Sequence, residues 1–305
     1  MNVNFYYEQP VPWNGGIHCL IGETLFEYYR TQFPDIKFTK VDLRITDTAM
    51  PEEKYKIKLT YNPYSYHCVI IENDESKKYF LISIMDKLSF TDNWDTENCV
   101  EIFPTSGAHK DCITYLSLDM RYTPFTTQHI DLQCEIECEE LYKLNLPKIT
   151  PGKPYFRSTF PYHFREYIRD DNRFDATHEE RVLPSKFIER MSKESISIDI
   201  NGAAEISNRT VLAMCLGNAL IRPKLVIKYH NDLIPDFHYA AVKCDDLSNY
   251  KELADAYIDR FEELKKDKDL VHYLSINGRK WYEENATFES NIKICKELIN
   301  FKKII

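Results

Sequence analysis

Between Ser195 and Gly217 the chain passes directly from an apolar segment, SISIDI, through a loop of small residues, NGAAE, into a helical segment, ISNRTVLAMCLG. The alternation continues with the strand-like segments ALIRPKLVIKY and YAAVKC and the helical segment NYKELADAYIDRFEELKKD. Alternating strands and helices are typical of an α/β sheet with parallel strands. The pattern predicts this fold class for the second half of the chain, with the helix of ISNRTVLAMCLG ending at Gly217.

The first half has strand-like segments and few helices. VNFYYE, KFTKVDLRI, YHCVIIE, KYFLISIM and CVEIF are short and rich in β-branched and aromatic residues, and IHCLIGETLFEYYRTQF has helical spacing. Three prolines and a glycine in LPKITPGKP indicate a domain crossing near residues 145–155. We therefore expect domains at 1–150 and 151–305. FREYIRDDNRFD is predicted to be helical, and the residues from LVHYLS to NFKK are predicted to form one helix.

Charge and composition exclude some functions. The net charge is −9, so the chain gains no attraction to a nucleic-acid backbone, and we expect no nucleic-acid partner. No apolar run approaches the roughly 20 residues of a membrane span, and the start lacks the features of a signal peptide. The nine cysteines show no zinc-like spacing, which suits buried free thiols in a reducing compartment. A cytoplasmic protein without a membrane span or bound metal is expected.

The loop before the second-half helix has the composition of an anion site. Small residues let a ligand approach the backbone, and the start of a helix attracts phosphate. Arginine adds a fixed pair of donors suited to phosphate. The candidate donor-binding residues of this segment are Gly202, Ala203, Glu205, Ser207, Asn208 and Arg209. The alternative is a small-residue turn with Arg209 in a surface ion pair.

Two further segments carry candidate site residues. KPYFRSTF places Arg157 at the end of a short aromatic strand. Arg157 there either has a structural role or binds a diphosphate together with Arg209. PWNGGIHCLIGE places Gly15 and Gly16 before the first helix and His18 in its first turn, as a loop that a substrate could approach. The segment lacks the full G-x-G-x-x-G fingerprint, so a nicotinamide cofactor is disfavoured.

Four segments occur in an order that resembles glycosyltransferase family ninety, which includes protein O-glucosyltransferases and capsule xylosyltransferases. They are YFRSTF, SIDINGAAEISNRTVLAMCLGNALI, LIPDFHYAAVKCDDLSNYKEL and LSINGRKWYEE, between Lys153 and Glu284. The chain departs from the family pattern at several places. Ser158 replaces a glycine, Asp236 a tryptophan and Ala241 a proline, and one extra residue lies between Gly202 and Arg209.

The resemblance implies an α/β fold of the GT-B type, with two Rossmann-like lobes and a cleft between them. It implies a nucleotide-sugar, most often a UDP-sugar, on the C-terminal lobe and a glycan or other hydroxyl acceptor on the N-terminal lobe. Arg157 and Arg209 correspond to the family's diphosphate-binding arginines. The resemblance implies transfer without a metal or cofactor, and the D-x-D at Asp267–Asp269 is interpreted as solvated surface.

An inverting transfer needs a base for the acceptor hydroxyl. Asp86, after the apolar strand KYFLISIM, is the preferred candidate, and Glu8 and Asp119 are alternatives. Two other functions stay open. One is a nucleotide- or carbohydrate-binding protein of the same fold without catalysis. The other is an α/β methyltransferase, for which WNGG would form part of the loop and Asp42 the acid after the second strand.

Overall fold

The chain groups by its contacts into two units. The computed structural model describes residues 1–7, 17–42, 68–83, 98–104, 113–114, 144–145, 160–169, 171, 173–175, 191–200, 208–225, 228–229 and 231–305. One unit is Met1–Ser117 together with Phe288–Ile305, and the other is Leu118–Thr287. The boundaries inferred from the sequence, 1–150 and 151–305, stay a prediction, because most residues around the expected crossing lie outside the described ranges.

Among the described residues, strands predominate before Phe160, and helices follow one another after Tyr250. The strands are β1 (Asn2–Tyr7), β2 (Lys37–Asp42), β3 (Cys68–Asn73), β4 (Tyr79–Ser83), β5 (Cys99–Pro104), β6 (Ile113–Thr114), β7 (Leu144–Asn145), β8 (Phe174–Asp175), β9 (Ile196–Ile198), β10 (Ala219–Arg222), β11 (Lys228–Tyr229) and β12 (Ala240–Ala241). The helices are α1 (Ile17–Gln32), α2 (Phe160–Tyr167), α3 (Asn208–Cys215), α4 (Tyr250–Lys266), α5 (Lys268–Asn285) and α6 (Phe288–Leu298), with a 3₁₀ turn at Phe301–Lys303.

The first unit contains a mixed five-stranded sheet in the order β2-β1-β3-β4-β5. β1 is parallel to β2, and β4 is parallel to β5, but β3 is antiparallel to both β1 and β4. The turn between β3 and β4 is too short for a parallel crossover. It is held by Asn73, whose Oδ1 accepts from the N–H groups of Glu75 and Ser76, and Lys77 adopts φ 60°. This unit therefore differs from the all-parallel sheet of a Rossmann-like lobe.

Within the first unit, the last residues of the chain pack against α1 and the turn after β3. The Phe301 ring stacks on Tyr29 of α1, with ring centroids 4.6 Å apart, and the Tyr29 hydroxyl donates to the carbonyl of Ile299. The Asn73 amide donates to the carbonyl of Ile304 at 2.7 Å. Burial raises the pKa of Tyr29, as expected for a hydroxyl held among aromatic rings.

Gly22 on α1 allows the helix to lie directly against Tyr7 of β1. A Cβ atom at Gly22 would lie 2.5 Å from Cγ of the fully buried Tyr7 ring. We expect Gly22→Ala to destabilise the first unit by about 1–3 kcal/mol through overpacking, which exceeds the roughly 1 kcal/mol that alanine gains in helix propensity. The midpoint of guanidinium unfolding should fall.

Thr31→Ala is the matched control for this change, because Thr31 is an exposed residue of the same helix. It should leave the midpoint close to that of the parent. A Gly22→Ala midpoint at or above the parent value would contradict the contact between Tyr7 and the helix backbone.

The second unit contains a parallel sheet in the order β12-β10-β9. Successive residues of β10 face opposite sides. Ala219 and Ile221 pack with Leu253 and Tyr257 of α4, whereas Leu220 packs with residues of α3 and α5. Helices thus cover both faces, which explains why β10 is buried throughout. The α/β fold with parallel strands predicted for this half is confirmed.

Helix α3 connects β9 to β10 and ends as predicted at Gly217. Gly217 adopts φ 71°, its N–H donates to the carbonyl of Met214, and the N–H of Asn218 donates to the carbonyl of Ala213. This is a Schellman motif, in which the left-handed residue is usually glycine. The motif returns the chain into β10.

Two helix predictions are wrong in their extent. The helical prediction for FREYIRDDNRFD fails after Tyr167, because Asp171 Oδ1 accepts from the N–H of Arg173 and forms a side-chain turn before β8. The single helix predicted from LVHYLS to NFKK is interrupted at Ala286 and Thr287. Asn285 donates to the carbonyl of Trp281, a local bond that competes with continued helix, and it accepts from Asn231, which lies far away in the sequence.

Candidate functional site

The candidate site lies at the carboxyl ends of β9 and β10, where α3 begins. Asp199 follows β9 and Arg222 ends β10, and the two strands are parallel neighbours. The N–H of Asp199 donates to the carbonyl of Ile221, so the pairing extends past the end of β9. The chain then passes through residues 201–207, which lie outside the described ranges, and returns at Asn208. Ligands of open α/β sheets bind at this edge.

Asp199, Thr210 and Arg222 form a buried polar cluster at this edge. The Thr210 hydroxyl donates to Asp199 Oδ2, and Arg222 Nη1 donates to Thr210 Oγ1 at 2.8 Å. Arg222 Nη1 lies 3.6 Å from Asp199 Oδ2, and both charged side chains are at least 99% buried. The pair is therefore an internal ion pair that joins two strand ends and the first turn of α3.

Tyr257 of α4 contacts the same strand end from the other face of the sheet. Its hydroxyl donates to the carbonyl of Asp199 at 2.7 Å. Burial raises the pKa of Tyr257 well above its usual value, the Asp199 charge raises it further, and the Arg222 charge opposes the shift. Tyr257 therefore acts here as a neutral hydrogen-bond donor.

Arg209 occupies the first turn of α3, as the sequence predicted, and is nine-tenths buried. A side chain this buried does not lie in an open surface ion pair. It neighbours Thr210, whose hydroxyl is tied to Asp199. The structure thus brings Arg209 and the start of α3 to the strand ends that the sequence pattern indicated.

Most other predicted site residues lie outside the described part of the chain. They are Gly15, Gly16, Asp86, Arg157, Gly202, Ala203, Glu205 and Ser207, with the alternative bases Glu8 and Asp119. His18 lies in the first turn of α1, and Asn208 is the first residue of α3, but their side chains are outside the described set. Their roles stay predictions.

Sequence reasoning missed Thr210, Arg222 and Tyr257 as members of this edge. One signal was present in ALIRP, where an arginine ends an otherwise apolar buried strand directly before a proline. A charge in such a position needs a buried partner. No signal in the sequence points to Tyr257, which is one of 21 tyrosines.

Asp236, which replaces the tryptophan of the family pattern, has a structural role in the turn before β12. It adopts φ 57°, a left-handed conformation that Asp tolerates better than most residues. Its Oδ1 accepts from the N–H of Ala241 at 3.1 Å and from Arg260 Nη2 at 2.5 Å. Arg260 is buried and also pairs with Glu263. The turn is therefore fixed to α4 by this aspartate.

His238 in the same turn should make stability depend on pH. Its Nδ1 accepts from the N–H of Ile234 at 2.8 Å, and burial lowers its pKa, with Glu284 opposing the shift. A lowered pKa means that the unfolded chain binds the proton more readily below about pH 6.5. Because protonation then favours the unfolded chain, we expect the free energy of unfolding to fall as the pH drops through this range, by on the order of 1 kcal/mol.

His238→Asn is the comparison variant, because the Asn Oδ1 atom can replace the Nδ1 acceptor and does not titrate. The measurement is the denaturation midpoint of parent and variant between pH 7.5 and 5.5. The parent should lose more stability than the variant over this range. Equal slopes would show that His238 binds its proton equally in the folded and the unfolded chain, and thus that folding does not lower its pKa.

A cavity of about 540 Å³ lies along α4, and its lining includes Asn249 and Glu252 but none of the predicted site residues. Three basic and four acidic side chains line it, among them Lys243, Asp255, Asp259 and Arg260. Because acidic side chains repel phosphate, this mixed lining does not favour an anion. The start of α3 is the better candidate for a diphosphate.

The D-x-D motif has a local structural role. Asp267 is the N-cap of α5 and accepts from the N–H of Leu270 at 2.9 Å. Within the described ranges, no three His, Cys, Asp or Glu side chains converge as metal ligands would. The helices of the described ranges also include none with the length and apolar character needed to cross a bilayer.

Comparisons with known proteins identify no family. No family profile and no curated protein matches the chain. Among solved structures, the chain is similar to sucrose-phosphate synthase from Thermosynechococcus elongatus, with 11% identity and a TM-score of 0.40. The match covers 69% of this chain and 54% of that chain, about half of its length. A similarity this low does not establish a shared fold, and no function follows from it.

Proposed function

We propose that the chain is a glycosyltransferase that moves a sugar from a nucleotide diphosphate to a glycan or other hydroxyl acceptor. The observation that carries the proposal is the edge formed by β9, β10 and the first turn of α3. Parallel strand ends, a helix start and Arg209 meet there, in the segment that resembles glycosyltransferase family ninety. Among the predicted functions, those with a diphosphate ligand make the most direct use of these features.

In the proposed reaction, Arg209, Arg157 and the N–H groups at the start of α3 bind the diphosphate. The bond between the sugar and the diphosphate breaks, and negative charge grows on the leaving group. Fixed cationic groups and N–H donors stabilise that charge without rearranging. Transfer therefore needs no metal in this proposal, and a UDP-sugar is the donor that the resemblance favours.

The acceptor is proposed to bind the first unit, which would be the acceptor lobe of a GT-B-type enzyme with a mixed sheet in place of an all-parallel one. A carboxylate, for which Asp86 is the candidate, removes the proton from the attacking hydroxyl. The hydroxyl oxygen then forms the new bond to the sugar carbon from the side opposite the diphosphate. The product has inverted configuration, which nuclear magnetic resonance can identify once a donor is known.

The first experiment is a thermal shift of the purified protein with UDP, GDP, CDP, TDP, NAD and S-adenosylmethionine, with EDTA present throughout. A ligand that binds only the folded state stabilises it by mass action, by about 2.7 kcal/mol when the ligand concentration is one hundred times its Kd. The melting temperature rises as a result. A shift with one nucleoside diphosphate is the expected result. A shift with S-adenosylmethionine alone would instead support a methyltransferase, and no shift with any diphosphate would remove the basis of the proposal.

Binding without turnover would support the second candidate, a binding protein that lacks catalysis. The test is to supply the matching nucleotide-sugars and to measure both transfer and donor hydrolysis. If UDP binds but no sugar is transferred or hydrolysed across the donor panel, the catalytic part of the proposal is wrong.

A further inference from the structure

Asp199 is a point at which four elements of the second unit meet. Its side chain contacts Thr210 of α3 and Arg222 of β10, and its carbonyl accepts from Tyr257 of α4. Asp199 directly follows β9, and α3 begins nine residues later, at Asn208. The two ends of the connection between β9 and α3 are therefore held together by side chains.

Thr210 is the member of this cluster that belongs to α3. Its hydroxyl is both a donor and an acceptor, because it donates to the Asp199 carboxylate and accepts from the Arg222 guanidinium. Thr210 itself is fully buried. Hydrogen bonds to charged groups are stronger than neutral ones, so this hydroxyl is a firm anchor for the helix turn that carries it.

Without the bonds of Thr210, the first turn of α3 would be only weakly stabilised. The N–H groups of the first turn of a helix have no partner within the helix, and helix ends fray. Helix α3 has only eight residues, so loss of its first turn removes a large part of it. Arg209 is the residue before Thr210 and lies on this turn.

We propose that Thr210 is a positioning residue that fixes the first turn of α3, and with it Arg209, at the strand ends before any ligand arrives. The part of this inference that concerns ligand affinity rests on the proposed function. A turn that is already ordered need not be ordered on binding, and ordering costs affinity. Thr210 itself does not touch the diphosphate in this proposal.

The experiment compares Thr210→Val, Thr210→Ser and Ser197→Ala in the full chain. Valine keeps the shape of threonine without its hydroxyl, and serine keeps the hydroxyl. Ser197 is the matched control, because its buried hydroxyl also joins a carboxylate and a donor, Glu194 and Asn218, in the same sheet. Ser197 lies in β9 and accepts from Asn218, which follows the C-terminal end of α3, so its loss does not release the first turn of α3.

The first readout needs no ligand. The N–H groups of Leu212 and Ala213 bond the carbonyls of Asn208 and Arg209 in an α-helix, so their hydrogen exchange reports fraying of the first turn. Thr210→Val should speed exchange at these two amides by about tenfold relative to the rest of α3, and Thr210→Ser should not. Ser197→Ala should leave the ratio unchanged even if it lowers the melting temperature.

The second readout is the Kd of UDP by calorimetry. Thr210→Val should weaken binding about tenfold, which corresponds to roughly 1.4 kcal/mol. Thr210→Ser should bind as the parent does. If Thr210→Val does not fold, Thr210→Ala replaces it, because alanine also lacks the hydroxyl.

Exchange in Thr210→Val that matches the parent would overturn the positioning role. So would equal losses of UDP affinity in Thr210→Val and Ser197→Ala, which would indicate general destabilisation. If the parent binds no nucleoside diphosphate, the proposed function fails, and the exchange readout still decides whether Thr210 positions the helix.

Discussion

Arg222→Met is expected to lower the free energy of unfolding of the second unit by roughly 3–5 kcal/mol. The change leaves the Asp199 carboxylate buried without its cation, and it also removes the donor to Thr210. Methionine keeps much of the aliphatic volume of arginine, so a cavity contributes little to the loss. The free energy is measured by guanidinium unfolding.

Two variants separate the buried charge from other effects. Arg279→Met removes an arginine of the same unit whose partner on α5, Glu283, is exposed, and pairs open to solvent contribute only about 0–1 kcal/mol. Asp199→Asn combined with Arg222→Met leaves neither charge alone, so the double variant should be more stable than the sum of the single changes predicts. A loss in Arg222→Met no larger than in Arg279→Met would show that Asp199 is satisfied without Arg222.

The second unit was largely predictable because its elements are determined by local pattern. SISIDI and ALIR are short segments with isoleucine and leucine that lack helical spacing, and they became β9 and β10, of which β10 is buried throughout. Gly217 ended the helix because a left-handed residue was required there. Asn249 and Asp267, which cap α4 and α5, also agree with the start signals that side-chain oxygens give.

The features that were missed depend on contacts between residues far apart in sequence. The helix break at Ala286 follows from Asn231, which contacts Asn285 from a distant turn. The mixed sheet of the first unit depends on how β3 pairs with β1, and a strand's pattern does not state the direction of its neighbour. Such contacts exist only once the chain has folded.

The position of the candidate site in the backbone was predictable, but the side-chain contacts that hold it were not. A strand, a small-residue loop and a helix start indicate an edge that suits phosphate, and Arg209 lies there. The ion pair of Asp199 and Arg222 that holds this edge joins residues on different strands. Periodicity marks residues such as Arg222 as buried but does not identify their partner.

Arg209→Ala is expected to weaken UDP binding roughly 10- to 100-fold. This range corresponds to the loss of about 1.5–3 kcal/mol for a hydrogen bond to a charged group. Arg209→Lys should fall between alanine and the parent, because lysine keeps the charge but not the paired donors of the guanidinium. Calorimetric titration of UDP in EDTA gives the Kd values.

Arg173→Ala is the control, because Arg173 is an exposed arginine of the same unit that pairs with Asp171 and Asp255. It should bind UDP as the parent does. Since Arg209 is nine-tenths buried, the melting temperature is measured for every variant. A lower melting temperature with an unchanged Kd would make Arg209 a structural residue and move the diphosphate away from α3. Weaker binding by a variant that melts like the parent is not caused by a smaller folded fraction, so it would support a direct contact between Arg209 and the diphosphate.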